Sequence, residues 1–262
     1  MVIERFSVEG RVAVVTGAGR GLGAASALAL AEAGADVVIS ARTESQLQEV
    51  ADRIEAFGRR CVVVPTDLND LEAVGSLAAT AESELGRLDI VVNNVGGTMP
   101  RAFLDTTPEY LEEAFHFNVS TAHALTRAAA PIMLARDGGS VVNISSAMSR
   151  LVGRGFLAYG TAKAAMSHYT RLAARDLAPR IRVNAIAVGS IATSALEIVV
   201  NDEGLRTSME AATPLHAIGE PEHIAATVLY LSSPAGGYVT GKVFEVDGGT
   251  EQPSLELGLP DL

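Results

Sequence analysis

The stretch Val12-Ala-Val-Val-Thr-Gly-Ala-Gly-Arg-Gly-Leu-Gly23 joins an apolar run to a glycine-rich turn and the start of an Ala-rich helix. Glycines allow the turn to tighten and the backbone to approach a pyrophosphate, and the free N–H groups of a helix start favour an anion. The spacing is T-G-x-x-x-G-x-G, not the dinucleotide pattern G-x-G-x-x-G. The stretch predicts a cofactor phosphate site, although a glycine-rich turn alone also fits a simple tight connection.

Short β-rich runs alternate with longer Ala-rich helical patterns along the rest of the chain. This alternation predicts a parallel sheet with right-handed crossovers and helices on both faces. We expect an α/β protein with a single-domain Rossmann fold, a doubly wound parallel sheet of seven strands. The predicted strands are Val12–Val15, Asp36–Ser40, Cys61–Val64, Ile90–Asn93, Ser140–Ile144, Arg182–Ala187 and Val243–Val246.

Helix punctuation supports this division of the chain. Thr107-Pro108 and Glu220-Pro221 place proline in a first helical turn, and Gly34 ends the predicted helix Leu22–Ala33. Because no linker rich in Pro, Gly and Ser divides the chain, we expect one domain over residues 1–262. An irregular region at about residues 190–215 is the expected substrate loop and mobile element.

Composition and charge exclude several classes of partner. The chain of 262 residues is 48% apolar and carries 20 basic and 31 acidic residues, a formal net charge of -11. This field repels nucleic acid and anionic membranes. No apolar run approaches the roughly 20 residues needed to cross a bilayer, and Met1–Gly10 lacks the apolar stretch of a secretory leader. Cys61, the single cysteine, favours a buried strand residue over a reactive thiol. We expect a soluble cytoplasmic protein.

The second predicted strand ends in Ser40-Ala-Arg-Thr43, without the carboxylate that normally binds the ribose hydroxyls of NAD. Arg42 there and Arg20 in the glycine turn are two cations that can flank a ribose phosphate. The pattern favours NADP(H), with NAD(H) as the alternative. Each arginine is also compatible with an ordinary solvated surface residue.

Tyr159 and Lys163 stand four residues apart, so they share one face if the segment is helical. A free phenol titrates near ~10, and a nearby lysine charge and an oxidised nicotinamide ring favour the phenolate. Tyr159 can then exchange a proton with an alcohol or ketone. Such pairs are common and usually structural. This one follows the strand Ser140–Ser146, which carries serines to its carboxyl end, where ligands bind in parallel sheets.

With these motifs in order, the chain resembles the short-chain dehydrogenase/reductase family over nearly its whole length. Asp67 with Leu68 resembles the adenine-contacting aspartate segment, and Asn93-Asn-Val-Gly96 the segment that supports the cofactor. The resemblance implies a catalytic tetrad of Asn118, Ser146, Tyr159 and Lys163. It also implies a nicotinamide cofactor, and we expect no metal. Including the two arginines argued above, the residues expected to bind the cofactor are Gly17, Gly19, Arg20, Gly21, Leu22, Gly23, Arg42, Asp67, Leu68, Asn94, Gly96, Tyr159, Lys163, Gly189, Ile191 and Thr193.

The resemblance also implies individual roles. Ser146 is preferred to Ser145 because the family's serine usually lies thirteen residues before the tyrosine. Asn118 interrupts a helix and holds a water that joins Lys163 to solvent, or else it is only a packing amide; Lys163 also binds the nicotinamide ribose. The Ile191 backbone and the Thr193 hydroxyl meet the carboxamide. Val188 departs from the family, which usually has proline there.

Substrate specificity is less well defined by the sequence. The segments Gly96–Pro100 and Thr193–Ala217 resemble bacterial hydroxysteroid dehydrogenases most, with 3-oxoacyl-carrier-protein reductases next. The net acidity argues mildly against an acidic carrier protein. A cofactor-binding sensor without turnover, or a dehydratase or epimerase of a related extended fold, remains a rival. Candidate lining residues are Gly97, Thr98, Met148, Arg150, Phe156 and the stretch Ala195–Met209, in which Leu196–Val200 forms either an apolar lid or a packed amphipathic helix.

The run Gly237–Gly249 resembles the family's last edge strand, which often packs against a partner subunit. An exposed apolar edge favours association. We therefore expect a homo-oligomer, a tetramer by analogy, that acts on a small-molecule carbonyl or alcohol.

Overall fold

The protein forms one parallel sheet of seven strands in the order β3-β2-β1-β4-β5-β6-β7. The computed structural model describes residues 1–193, 196, 201–254, 258 and 259. The predicted doubly wound Rossmann fold and all seven predicted strands are confirmed. The strands are β1 Val12–Thr16, β2 Asp36–Ala41, β3 Cys61–Pro65, β4 Ile90–Asn93, β5 Gly139–Ser146, β6 Ile181–Val188 and β7 Val243–Val246.

Helices cover both faces of this sheet, which explains why the central strands are continuous apolar runs rather than alternating patterns. One face packs against α1, α2 and α8, and the other against α3, α5 and α6. None of the described helices is both long and apolar enough to span a membrane. The helices are α1 Gly21–Glu32, α2 Glu44–Ala56, α3 Leu71–Leu85, α4 Pro108–Phe115, α5 Thr121–Leu134, α6 Leu157–Leu177, α7 Glu203–Ala212 and α8 Pro221–Ser232.

Local capping explains the start of α4. Thr107 accepts a hydrogen bond from the Tyr110 N–H at the start of α4, where Pro108 stands in the first turn as predicted.

Between α4 and α5 the residues His116–Ser120 form one turn of π-helix. The helix is therefore interrupted at Asn118, as the family resemblance implied.

The expected irregular region at residues 190–215 is wrong for the ten residues of α7. The carboxylate of Asp202 caps this helix by accepting a hydrogen bond from the Leu205 N–H at 2.9 Å. Met209 is buried on its inner face. The cap and this apolar contact stabilise a helix that sequence punctuation did not reveal. Most of the predicted lid, Leu196–Val200, lies outside the described residues.

The strand order changes direction between β1 and β4. The chain proceeds outward from β1 to β2 and β3, then returns to pair β4 on the other side of β1. Connections therefore leave the carboxyl edge toward opposite faces, which opens a crevice where ligands bind in such sheets. The residues that follow β1, β4, β5 and β6 meet at this edge.

Candidate active site

The glycine turn after β1 is held in place by Asn94, which follows β4. The Asn94 side-chain amide donates to the carbonyl oxygens of Thr16 at 2.9 Å and Gly17 at 3.2 Å. A Cβ atom on Gly23 would lie 2.6 Å from the Asn94 Nδ2 atom, too close for any side chain. The same Cβ atom would lie 2.2 Å from the Gly17 carbonyl oxygen, so the fold of the turn itself and the Asn94 side chain together require glycine at position 23.

The start of α1 suits an anion. The N-cap residue Arg20 offers no side-chain acceptor to the first turn, which includes Gly21 and Leu22. The first N–H groups of a helix have no partner within the helix, and they carry its positive dipole. This donor set fits the pyrophosphate of a dinucleotide.

The turn also contacts the end of β2, where the sequence predicts the adenosine end of the cofactor. The Ala18 N–H donates to the Ser40 carbonyl at 3.1 Å. A Cβ atom on Gly19 would lie 3.4 Å from the Ala41 methyl. Arg20 and Arg42, the two expected cations, come directly after Gly19 and Ala41, the two residues in this contact. Arg20 and Arg42 are both exposed, and neither has an ion pair with any residue in the described part of the chain.

The segment after β3 lies beside the end of β2. The Thr66 N–H donates to the Ala41 carbonyl at 2.9 Å. Asp67 is exposed and accepts a hydrogen bond from the Asn69 N–H at 3.1 Å. Leu68 is 5% exposed and belongs to the core. The structure thus brings Asp67 to the same edge as Arg42, whereas the Leu68 side chain packs inward.

Lys163 is a buried cation. Its side chain is on α6, the residue is 2% exposed, and its Nζ atom donates to the Ile144 carbonyl of β5 at 2.9 Å. Burial lowers the pKa of the Lys163 ammonium from its ordinary 10.5 to about 8. Gly96 lies against it: a Cβ atom there would be 2.5 Å from Nζ. Only glycine leaves room for this ammonium.

Asn118 occupies the π-helical turn with its amide fully engaged. Its Nδ2 atom donates to the carbonyls of Ala114 at 2.8 Å and Gly97 at 3.1 Å, and its Oδ1 accepts from the Gly97 N–H at 2.9 Å. Oδ1 also lies 2.7 Å from the position of a Cβ on Gly96. The amide therefore fixes the loop after β4 next to Lys163. Thr98, another expected lining residue, contacts the same amide.

Ser146 ends β5, and its side chain lies close enough to the Tyr159 phenol to lower the pKa of that group. Its Oγ atom also accepts from the Met148 N–H at 3.2 Å. Burial raises the pKa of the Tyr159 phenol, and Ser146 offsets only part of that increase. The Lys163 Nζ atom is 5.8 Å from the centroid of the Tyr159 ring. Burial therefore favours the neutral phenol, and the phenolate expected beside an oxidised nicotinamide ring stays a prediction.

The segment after β6 reaches back to the glycine turn. The Gly189 N–H donates to the Val246 carbonyl at 3.1 Å, and Ile191 forms an isolated bridge with Gly219. The Thr193 methyl lies 3.4 Å from the position of a Cβ on Gly21. This segment therefore spans from β7 to the phosphate turn.

Val188 stands where proline was expected. It is the last residue of β6 and lies in register with Ser146 on β5 and Val246 on β7. The regular strand therefore continues to the start of the Gly189 segment. Pairing of β5 with β6 therefore joins the end of β5, which carries Ser146, to the segment that begins at Gly189.

The buried polar contacts behind the site, including those of Thr126 and Asn143, were not identified from the sequence. Asn93 donates to the side chains of Thr126 at 3.1 Å and Asn143 at 2.8 Å. Ser145 donates to the Lys163 carbonyl at 3.1 Å, which ties β5 to the helix that carries the ammonium. Buried polar groups need partners, so polar letters inside apolar strands were the available signal.

A cleft of about 700 Å³ lies beside the site but does not include Ser146, Tyr159 or Lys163 among its lining residues. It borders α6 through Gly160, Thr161 and Ala164, which the helical period of about 100° per residue turns away from the tyrosine and lysine. The expected lining residues Met148, Arg150 and Phe156 border this cleft. Met148 and Arg150 therefore link the wall of the cleft to the turn that follows Ser146.

Side chains that often carry redox or metal chemistry are not gathered at the site. Burial raises the pKa of the Cys61 thiol on β3 to about 12, so the thiol stays protonated. Across the described part of the chain, His, Cys, Asp and Glu form no group of three that can hold a metal ion.

Fold and site together define a dinucleotide-binding oxidoreductase with a tyrosine, serine and lysine at the carboxyl edge of its sheet. The family model described as Enoyl-(Acyl carrier protein) reductase matches residues 17–251. The chain belongs to the short-chain dehydrogenase/reductase family, as its motifs indicated, and it is a nicotinamide-dependent oxidoreductase that acts on CH–OH groups.

Individual relatives agree with this assignment. The chain is 59% identical over 263 residues to an uncharacterized oxidoreductase of Mycobacterium tuberculosis, with 100% of each chain covered. It is 36% identical to the 7alpha-hydroxysteroid dehydrogenase of Escherichia coli over 250 residues, 95% of this chain and 97% of that one. A solved 7alpha-hydroxysteroid dehydrogenase with NADH and 7-oxo glycochenodeoxycholic acid superposes with a TM-score of 0.91 at 34% identity, covering 96% of this chain and 98% of that chain.

The buried ammonium predicts a stability effect. At pH 7 Lys163→Met raises the free energy of unfolding by about 1 to 3 kcal/mol, because an apolar side chain replaces a desolvated charge. The native pKa is about 8, below that of the unfolded chain. Wild type therefore gains stability as the pH rises from 8 toward the unfolded pKa near ~10.4, and the advantage of the variant shrinks there.

Urea unfolding of the cofactor-free protein between pH 7 and pH 10 measures this difference. Lys242→Met is the matched control, because Lys242 is exposed and its replacement shifts stability by no more than about 0.5 kcal/mol. A Lys163→Met protein that is less stable than wild type at pH 7 would contradict the burial argument.

Proposed function

We propose that this oxidoreductase interconverts a secondary alcohol and a ketone on a hydrophobic small molecule such as a steroid, with NADP(H) preferred over NAD(H). The whole chain, residues 1–262, acts as one dinucleotide-binding and catalytic domain. The observation that carries the proposal is the placement of Ser146 beside the Tyr159 phenol, whose pKa it lowers, next to the buried Lys163.

Tyr159 is the proposed general acid and base. Its hydroxyl gives a proton to the ketone oxygen or takes one from the alcohol. When bound, the nicotinamide supplies or accepts the hydride. The Ser146 hydroxyl polarises the same substrate oxygen. Because Met148 already donates to the Ser146 Oγ atom, the serine proton is directed toward another acceptor.

Lys163 and Asn118 have supporting roles in the proposal. Lys163 binds the nicotinamide ribose and lowers the cost of a negative charge on the Tyr159 oxygen. Asn118 holds the loop with Gly96 and Gly97 against the ammonium and supports a water path for protons. The packing-amide alternative is compatible with the same contacts, so Asn118 is the least constrained member of the tetrad.

The remaining cofactor contacts follow the carboxyl edge of the sheet. Backbone N–H groups at the start of α1 bind the pyrophosphate, and Asn94 keeps that turn in place. Asp67 contacts the adenine, and the segment Gly189–Thr193 receives the carboxamide. Leu68 contributes through its backbone, since its side chain is buried.

The preference for NADP(H) rests on the end of β2. Ala41 and Arg42 occupy the place where a carboxylate would bind the ribose hydroxyls of NAD. Arg42 and Arg20 are exposed without ion pairs in the described residues, so their guanidinium groups are free to bind a phosphate. The related structure contains NADH, which makes the cofactor choice a point of difference to test.

A steroid-like substrate is favoured by similarity to the 7alpha-hydroxysteroid dehydrogenases. A 3-oxoacyl-carrier-protein reductase is the second candidate, and the net charge of -11 disfavours docking of an acidic carrier. A sensor without turnover would be expected to have lost the tyrosine or the lysine, and this chain keeps both. We propose a cytoplasmic protein, in line with its single, protonated cysteine.

We propose that the protein assembles as a homotetramer. Apolar side chains are exposed on α4, α6 and the segment before α4, among them Phe103, Phe115 and Leu172 at 65%, 47% and 56%. Large apolar side chains exposed in this way favour a partner surface. Sedimentation velocity at micromolar concentration is expected to give a tetramer; a monomer at that concentration would contradict the proposal.

Tyr159→Phe is expected to lower turnover at least about a hundredfold, because the general acid is lost, while cofactor affinity stays nearly unchanged. Turnover is measured with NADPH and NADH on steroid, acyl-thioester and simple ketones. Tyr169→Phe is the matched control, since it removes a phenol from the same helix whose hydroxyl lies 3.1 Å from His123 Nδ1. Near-normal turnover of Tyr159→Phe would exclude its proposed role.

Arg42→Ala is expected to raise the Kd of NADPH at least about tenfold and to change that of NADH less than about threefold, because only NADPH carries the ribose phosphate. Quenching of intrinsic or cofactor fluorescence measures both constants. Arg53→Ala, which removes an exposed arginine from α2, is the control. Equal losses for the two cofactors would remove the proposed preference.

A further inference from the structure

Arg150, four residues after Ser146, is tied to acceptors from one distant part of the chain. Its Nε atom pairs with Glu245 at 3.0 Å, its Nη2 atom with Asp247 at 2.9 Å, and its Nη1 atom with Glu251 at 3.1 Å. Nη2 also donates to the Thr250 carbonyl at 2.6 Å. The sequence placed Arg150 among the residues that line the substrate, but its guanidinium is already engaged.

This cluster is partly enclosed, unlike ordinary surface ion pairs. The side chains of Arg150 and Asp247 are 27% and 5% exposed. Surface pairs contribute little, whereas a desolvated and hydrogen-bonded pair is costly to break. A planar guanidinium can serve several acceptors at once, which a lysine ammonium does with much less geometric order. The contacts therefore define the position of the Arg150 backbone.

The Arg150 backbone is coupled to the Ser146 hydroxyl through one short turn. The Arg150 N–H donates to the Ala147 carbonyl at 3.0 Å and closes the 3₁₀ turn Ala147–Ser149. Within that turn the Met148 N–H donates to the Ser146 Oγ atom at 3.2 Å. A shift of the turn would change which lone pair of Ser146 is occupied and where its proton points.

The acceptors of Arg150 also contact the segment that follows β6. Gly189 donates its N–H to the Val246 carbonyl at 3.1 Å. A Cβ atom on Gly189 would lie 2.5 Å from the Asp247 Cα atom. Arg150 thus connects the serine-bearing turn with the backbone against which Gly189 packs.

We propose that Arg150 is a positioning residue for the reaction: it fixes the turn Ala147–Ser149 against the end of β7, so that the Ser146 hydroxyl stays directed at Tyr159 and the substrate oxygen. The inference rests on the proposed function for its effect on turnover. The acceptors lie 97 and 101 residues further along the chain for Asp247 and Glu251. The residue acts through its neighbours and need not touch the substrate.

The test compares Arg150→Met with a matched control, Arg59→Met. Arg59 has a side chain 25% exposed and pairs with Glu9 and Asp36 at the opposite edge of the sheet. Each substitution removes a similarly enclosed guanidinium from two or more carboxylates. Arg150→Met is expected to lower kcat about tenfold or more, a fraction of the loss of a complete oxyanion donor. Arg59→Met is expected to keep kcat.

A second measurement does not require turnover. Tyrosinate absorbance during a pH titration, with the matching Tyr159→Phe protein subtracted, gives the pKa of the Tyr159 phenol in each background. Among the residues that the structure describes, Ser146 and Lys163 are the polar and charged groups placed beside this phenol. Because Ser146 lowers that pKa, its displacement in Arg150→Met is expected to raise the titration midpoint by about half a unit or more.

The outcomes separate the two proposals. If Arg150→Met matches Arg59→Met in both measurements, or loses kcat without the shift in phenol pKa, the positioning role is overturned. If wild type turns over no ketone in the panel, the proposed function fails, while the titration still decides the role of Arg150.

Two milder variants cover the case in which Arg150→Met does not fold. Asp247→Asn removes the most buried carboxylate of the cluster and is expected to shift the phenol in the same direction by a smaller amount. Arg150→Lys keeps the positive charge but loses the planar set of guanidinium donors. Compared with Arg150→Met, it is expected to recover part of kcat and to reverse part of the shift in the Tyr159 titration midpoint. Wild-type values in both variants would overturn the proposal.

Discussion

The site is organised around the burial of one ammonium group. Lys163 is 2% exposed, and a buried cation needs acceptors in fixed places. The Ile144 carbonyl supplies one, and Gly96 leaves the space that the ammonium occupies. The Ser145 hydroxyl bonds to the Lys163 carbonyl, so the helix α6 is fastened to β5 at the same level. This packing of α6 against β5 sets the positions of Tyr159 on the helix and Ser146 on the strand.

Features that depend on the backbone were the ones that the sequence predicted well. Strands buried on both faces must be continuous apolar runs, so their locations were evident without any knowledge of their partners. The phosphate turn was evident because close backbone approach demands glycine, as at Gly23 beside Asn94. The helix Glu203–Ala212 was missed because its stability comes from the Asp202 cap and from burial of Met209, which local composition did not reveal.

Side-chain contacts between distant segments were not predictable. Arg150 was expected to line the substrate site and does border the cleft, but its guanidinium pairs with acceptors at the end of β7 and beyond. A charged residue in a loop has the same sequence signal whether it is solvated or paired. The same ambiguity affects Arg20 and Arg42, which the structure leaves exposed. Recognition of a ribose phosphate depends on such side chains, so it is less determined by the fold than recognition of the pyrophosphate.

Desolvation acts on both titrating groups of the site, and in opposite directions. It raises the pKa of the Tyr159 phenol and lowers that of the Lys163 ammonium to about 8, because the charged form of each is disfavoured in a dry environment. The Ser146 side chain lowers the pKa of the phenol and so opposes the effect of burial. Small displacements of that serine therefore alter the proton affinity of Tyr159 directly. The turn Ala147–Ser149 thus affects the chemistry although it contributes no titrating group.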